Sequence, residues 1–187
     1  GFNYVLFTAA AILSMVLCSS CEPDESQKPD TEKSVESVEK LADEFAVSLK
    51  SPSLKISGVE YPGGREPAQI SKDSIEGNYI IDFEPVKLQD GSSLDLRLYV
   101  EKNNKENAIR KHAKIRSNSQ KQLIIEEVIL EKLDKSMLLE SIAGTPPQSY
   151  PVFIDNYYLG IEFPISSTRV QGEKVLIGHR PGVKLQP

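Results

Sequence analysis

A chain of 187 residues with 39% apolar side chains carries enough apolar surface for one core, and it contains no tryptophan. Its net charge of −5 is unevenly spread: residues 22–44 hold nine acids against three bases, and the chain from residue 45 onward is nearly neutral. A nearly neutral body offers no electrostatic case for nucleic acid as a partner.

The first 20 residues carry no charged side chain, and Tyr4 to Leu17 form an apolar run of the length expected for an export signal. A spanning helix needs about 20 predominantly apolar residues, so the run is short for that role. Cys18 and Cys21 close it, and Cys21, preceded by Ser19 and Ser20, resembles the acylated cysteine of bacterial lipoproteins. Residues 1–21 are therefore expected to be a lipoprotein-type signal, with Cys21 the lipidation site and the lipid the protein's contact with the membrane. A redox or metal-binding C-x-x-C pair is the rival reading, but no further ligands accompany these cysteines.

Residues 22–34, EPDESQKPDTEKS, combine high charge with two prolines and no large apolar side chain. Such a stretch buries too little surface to offset its conformational entropy, so it is expected to be a disordered tether. An acidic run directly after the cysteine also resembles the surface-export signals of some bacterial lipoproteins. Val35, Val38, Leu41 and Phe45 follow helical spacing, which predicts a short helix ending the 22–44 approach.

From residue 45 the pattern changes to short alternating runs. Phe45, Val47 and Leu49 form one; Leu54 and Ile56 form the next, which Tyr61-Pro62-Gly63-Gly64 closes. Tyr79, Ile81 and Phe83 alternate, as do Leu94, Leu96, Leu98 and Val100, and Asp90-Gly91 between them is a strong hairpin signal. Val152 to Ile154, Tyr157 to Phe163 and Lys174 to Ile177 supply further strands, with a turn at Gln171-Gly172.

The stretch from Ala108 to Leu133 admits two readings. Ile109, Ala113 and Ile115 fall on one side of a two-residue alternation, with Arg110, His112, Lys114 and Arg116 on the other. A turn at Asn118-Ser119 would then fold a hairpin that sets Lys111 opposite Glu126, Arg110 opposite Glu127 and Ile109 opposite Val128. Against this, Ile125, Ile129, Leu133 and Met137 repeat every fourth residue, as on an amphipathic helix over Gln122 to Ile142. The strand-rich surroundings favour the hairpin, because tertiary setting commonly overrides helix propensity. Residues 45–187 are accordingly expected to form an all-β antiparallel sandwich, with Ser141 to Gln148 as a long loop.

Two runs carry a family resemblance. IRKHAKIRSNSQKQLIIEEVILEKL (109–133) is similar to a basic strand, short turn and apolar strand of α-galactosidase-like bacterial glycoside hydrolases. PVFIDNYYLGIEFPISSTRVQGEKVLIGHRPG (151–182) resembles the closing part of their N-terminal β-supersandwich, a galactose-mutarotase-like domain; Tyr158 to Pro164 and Arg180-Pro181-Gly182 are its clearest marks. The resemblance implies a non-catalytic sandwich that braces, and borders the sugar site of, a (β/α)8 barrel lying beyond Pro187. The paired catalytic carboxylates would belong to that barrel. A surface carbohydrate-binding or cell-envelope interaction module is the alternative.

No catalytic residue is nominated within the chain, and no cofactor. Neither His112 nor His179 has a cysteine or histidine at ligand spacing, and no phosphate-binding loop is present. Tyr157, Tyr158, Glu162 and Arg180 are the candidate glycan contacts. Alternation points the two tyrosines to opposite faces, so one belongs to the core. Glu162 also admits a structural role paired with Arg169 or Arg180, and the row Arg110, His112, Lys114 and Arg116 reads either as a receiver of acidic glycans or as a solvated face opposite acids.

Overall fold

In the computed structural model the chain is described over residues 3–8, 31–44, 47–73, 78–103, 108–137, 152–154, 157–161 and 166–185. It is an all-β sandwich of two mostly antiparallel sheets, with one α-helix among the described residues. The helix α1 (Thr31–Glu44) turns Val38, Leu41 and Ala42 inward, packs beside β4 (Gln69–Lys72), and leaves Glu36, Glu39 and Lys40 to solvent. It begins at Thr31, four residues ahead of its first apolar position Val35, so the tether does not extend to Ser34. The alternation Val47, Leu49 does not form a strand: residues 47–52 are a connection, its entry fixed by the Val47 N–H donating to the Ala42 carbonyl at 3.0 Å.

Sheet A orders its strands β10 (Val152–Ile154), β11 (Tyr157–Ile161), β1 (Asn3–Thr8), β8 (Ala108–Ser117), β7 (Ser93–Asn103), β5 (Tyr79–Asp82) and β4, with β6 (Val86–Lys87) also on β7. Asn3–Thr8, from the stretch read as a signal, runs parallel to both β8 and β11. Sheet B orders β12 (Ser166–Gln171), β13 (Lys174–His179), β9 (Leu123–Asp134), β2 (Ser53–Ile56) and β3 (Val59–Tyr61), with β14 (Val183–Leu185) also on β9. Leu94, Leu96, Leu98, Val100 and Ile109 of sheet A meet Leu54, Ile56, Ile125, Val128, Leu130 and Ile177 of sheet B in one buried cluster. The period-two alternation seen in sequence is thus the inward face of each sheet.

Residues 123–134 are strand and not helix, as the strand-rich surroundings indicated, but the expected hairpin with β8 does not form. β8 pairs with β7, placing Lys111 opposite Val100 and Arg110 opposite Glu101; β9 lies in the other sheet, with Glu127 opposite Lys55 and Val128 opposite Leu54. The cause is local. The Asn118 N–H donates to the Ser93 carbonyl, and Asn118 Oδ1 accepts the Ser93 N–H at 2.7 Å, extending the β7–β8 ladder by one rung. Ser119 Oγ donates to Asp90 at the β6–β7 tip, so Asn118-Ser119 ties back to sheet A while the chain crosses to sheet B. On arrival, the Ile124 N–H finds Ser57 Oγ, and the Gly58 N–H finds Glu126. Ser57 and Gly58 both have positive φ, which suits a tight two-residue hairpin turn and is costly for Ser57 alone.

Asp90-Gly91 is a turn, as anticipated, but it joins β6 to β7; β5 pairs with the far part of β7. Ser92 donates to the Asp90 carboxylate through both its N–H and its hydroxyl, holding that carboxyl below the usual range. Gln171-Gly172 closes the β12–β13 hairpin as the sequence indicated. Strands β4, β12 and β14 carry no strong sequence signal.

Candidate functional site

Lys111 occupies the apolar row of β8 and points into the sandwich, where its side chain is 0% exposed. Facing it from β9 is Glu131, 1% exposed, with the Lys111 Nζ to Glu131 Oε1 distance 2.7 Å. Lys111 also donates to the carbonyls of Ser48 at 2.5 Å and Leu130 at 3.3 Å. The Ser48 N–H returns to both Glu131 oxygens at 3.2 Å. One ion pair therefore joins the two sheets and holds the connection leading from α1. Burial raises the Glu131 carboxyl above its ordinary range, outweighing the opposing pull of Lys111 and the Ser48 N–H.

On the opposite, outward face of sheet B, a groove of about 530 Å³ runs across β3, β2, β9, β13 and β12. Ile129 and Leu176 contribute its apolar lining, with Ser53, Lys55 and Glu60 towards one side and Lys132, Arg169 and Gln171 towards the other. Glu127 is its most constrained charge. Arg169 engages both Glu127 oxygens in a fork, Nη2 to Oε2 measuring 2.8 Å, and Arg180 donates from Nε to Oε1 at 2.9 Å. Burial would push the Glu127 carboxyl up, but the two guanidiniums more than offset it and hold the group below its ordinary range. Lys55 pairs with Glu126 at 3.2 Å and Lys174 with Asp134 at 2.5 Å, both at exposed positions.

Of the residues singled out from sequence, Arg180 lies on this face and is a partner of Glu127. Tyr157 and Tyr158 lie in β11, in register with Ile154 and Phe153 of β10. Cys21 and Glu162 fall outside the described residues, as does the Ser141 to Gln148 loop. Arg110, His112, Lys114 and Arg116 do form one outward row on sheet A, in register with Glu101, Tyr99, Arg97 and Asp95. His112 stacks on Tyr99 with ring centres 4.7 Å apart, and Arg97 is held bidentately by Asp82 at 2.6 and 3.0 Å. The row is thus interleaved with acids and belongs to a face separate from the groove.

Sequence reasoning missed Glu127, Lys111 and Glu131. A lysine in the inward register of an otherwise apolar strand row was the available signal for the buried pair. Among the described residues no group of three or more His, Cys, Asp or Glu side chains is placed to hold a metal ion, and no helix is long and apolar enough to cross a membrane. In comparisons with known proteins, no family model, no curated protein and no solved structure matches the chain.

Proposed function

We propose that the chain is the non-catalytic N-terminal β-sandwich of a carbohydrate-active hydrolase of the α-galactosidase-like group. In this reading it is exported, anchored to the bacterial cell envelope through Cys21, and braces a catalytic barrel carried further along the polypeptide. The observation that carries the non-catalytic part is the commitment of Glu127 and Glu131. Each of these sheet-B carboxylates is enclosed by basic side chains, Glu127 by two arginines and Glu131 by Lys111, so each works as a crosslink. The carbohydrate part rests on the resemblance of residues 109–133 and 151–182, together with the sandwich architecture that resemblance implies. Assay of the purified chain against aryl α- and β-galactosides tests the proposal. Background rates are expected, and enzyme-dependent turnover would overturn it. Loss of metabolic lipid labelling in Cys21→Ser is expected for the anchor, and unchanged labelling would remove it.

The groove on sheet B favours a second reading, a surface carbohydrate-binding module without catalysis. Selective retention of one glycan class by the immobilised chain would support it over a bracing role.

A further inference from the structure

The two outward faces of the sandwich differ in how their charges are spent. On sheet A, Arg110 and Arg116 stand in register with Glu101 and Asp95 of β7, His112 stacks on Tyr99, and Lys114 stands beside Arg97, which Asp82 holds. In the sheet-B groove the lining side chains include Lys55, Lys132, Arg169 and Lys174 against Glu60 and Glu127. Arg180 adds a further cation at Glu127, so that carboxylate is shared by two guanidiniums. Lys132 is exposed and has no acidic partner among the described residues, and Arg180, 56% exposed on its side chain, uses its Nε on Glu127. The Lys55–Glu126 and Lys174–Asp134 pairs are solvated and weak, so their cations can turn to a ligand at little cost.

From this we propose that the groove binds an acidic oligosaccharide, one carrying uronate carboxylates or sulfate esters, with Lys132, Arg169 and Arg180 forming the anion-contacting wall. The positive excess selects the anion. The sugar rests on the carbohydrate reading above and on the groove's make-up. Its central strand β9 is already flanked by β13 and β2, so an extended peptide finds no open ladder there. Ser53, Glu60 and Gln171 stand among the cations as hydroxyl partners, and Ile129 and Leu176 offer apolar surface to the C–H face of a sugar ring.

The test is titration calorimetry of the full chain against polygalacturonate, dextran sulfate, neutral galactan and polyglutamate. Binding to polygalacturonate, dextran sulfate or both is expected, weakening as salt is raised, and the pattern between these two identifies the anion. Lys132→Ala and Arg180→Gln should each weaken it about two- to fivefold. Arg116→Gln on sheet A should leave it unchanged. Lys132 is exposed, so its variant reports on binding without disturbing the core. Equal affinity for neutral galactan or for polyglutamate, indifference to both groove variants, or no binding to any acidic glycan would overturn the assignment. Galactosidase turnover would instead sink the non-catalytic reading and leave the groove result standing.

Discussion

Replacing Lys111 with methionine isolates the contribution of the buried crosslink. Methionine fills much of the volume of the lysine stem but leaves the Glu131 carboxylate 1% exposed, with the Ser48 N–H at 3.2 Å as its remaining partner among the described residues and the Ser48 and Leu130 carbonyls short of a donor. Breaking one side of a buried pair costs about 3–5 kcal/mol. For a chain of this length that corresponds to a fall in Tm of roughly 6–20 °C. The double variant Lys111→Met/Glu131→Leu removes both charges and should recover most of the loss, since well-packed apolar replacements of buried pairs are often neutral. The pH dependence carries a further check. A carboxyl whose folded pKa is raised binds its proton more readily when folded, so stability falls as pH climbs from the ordinary value near 4.5 through the folded one. Lys111 is the charge that restrains this rise, so its removal steepens the dependence: the deficit should be largest near neutrality and shrink on acidification. Thermal melts by circular dichroism between about pH 4 and pH 7 measure this. A loss below about 1 kcal/mol, no recovery in the double variant, or a deficit that widens in acid would refute the argument.

Other outcomes follow from the same geometry. Glu127→Gln separates the fork from Arg169 and Arg180 and should cost about 1.5–3 kcal/mol at neutral pH by denaturant unfolding. Because the folded Glu127 pKa is lowered, the wild-type contribution is present above the ordinary carboxylate range and is lost as pH falls through the folded value, so the two proteins should converge in acid. Gly178→Ala would place a Cβ 2.5 Å from the Val128 carbonyl oxygen and 3.0 Å from Ile129 Cα, at the bulge where β13 crosses β9. Both neighbours are main chain, so a loss of about 1–3 kcal/mol in thermal unfolding is expected, and a neutral result would show that the bulge can relax. If processing at Cys21 removes the leader, strand β1 goes with it, and hydrogen exchange at the β8 amides paired with β1 over residues 108–112 should be faster in a chain beginning at Cys21 than in the full chain.

The sequence by itself determined which face of the long alternating strands is apolar and where the helix turns its apolar side. The alternation through Leu94, Leu96, Leu98 and Val100, and through Ile109, Ala113 and Ile115, reads directly as the inner row of sheet A, and the spacing of Val35, Val38 and Leu41 reads as a helix face. Turn chemistry at Asp90-Gly91 and Gln171-Gly172 was equally local, because it depends on the backbone angles of one or two residues. Pairing partners were decided only by the tertiary structure. Period-two spacing says which way a side chain points but not which strand lies beside it, so a hairpin and a crossing between sheets look alike over residues 108–133. Asn118, Ser119 and Asp90 settle that choice through contacts 25 and 29 residues apart in sequence. The groove was hidden for the same reason: Glu127, Arg169 and Arg180 meet across separations of 42 and 53 residues, and nothing in the local pattern of any one of them names the other two.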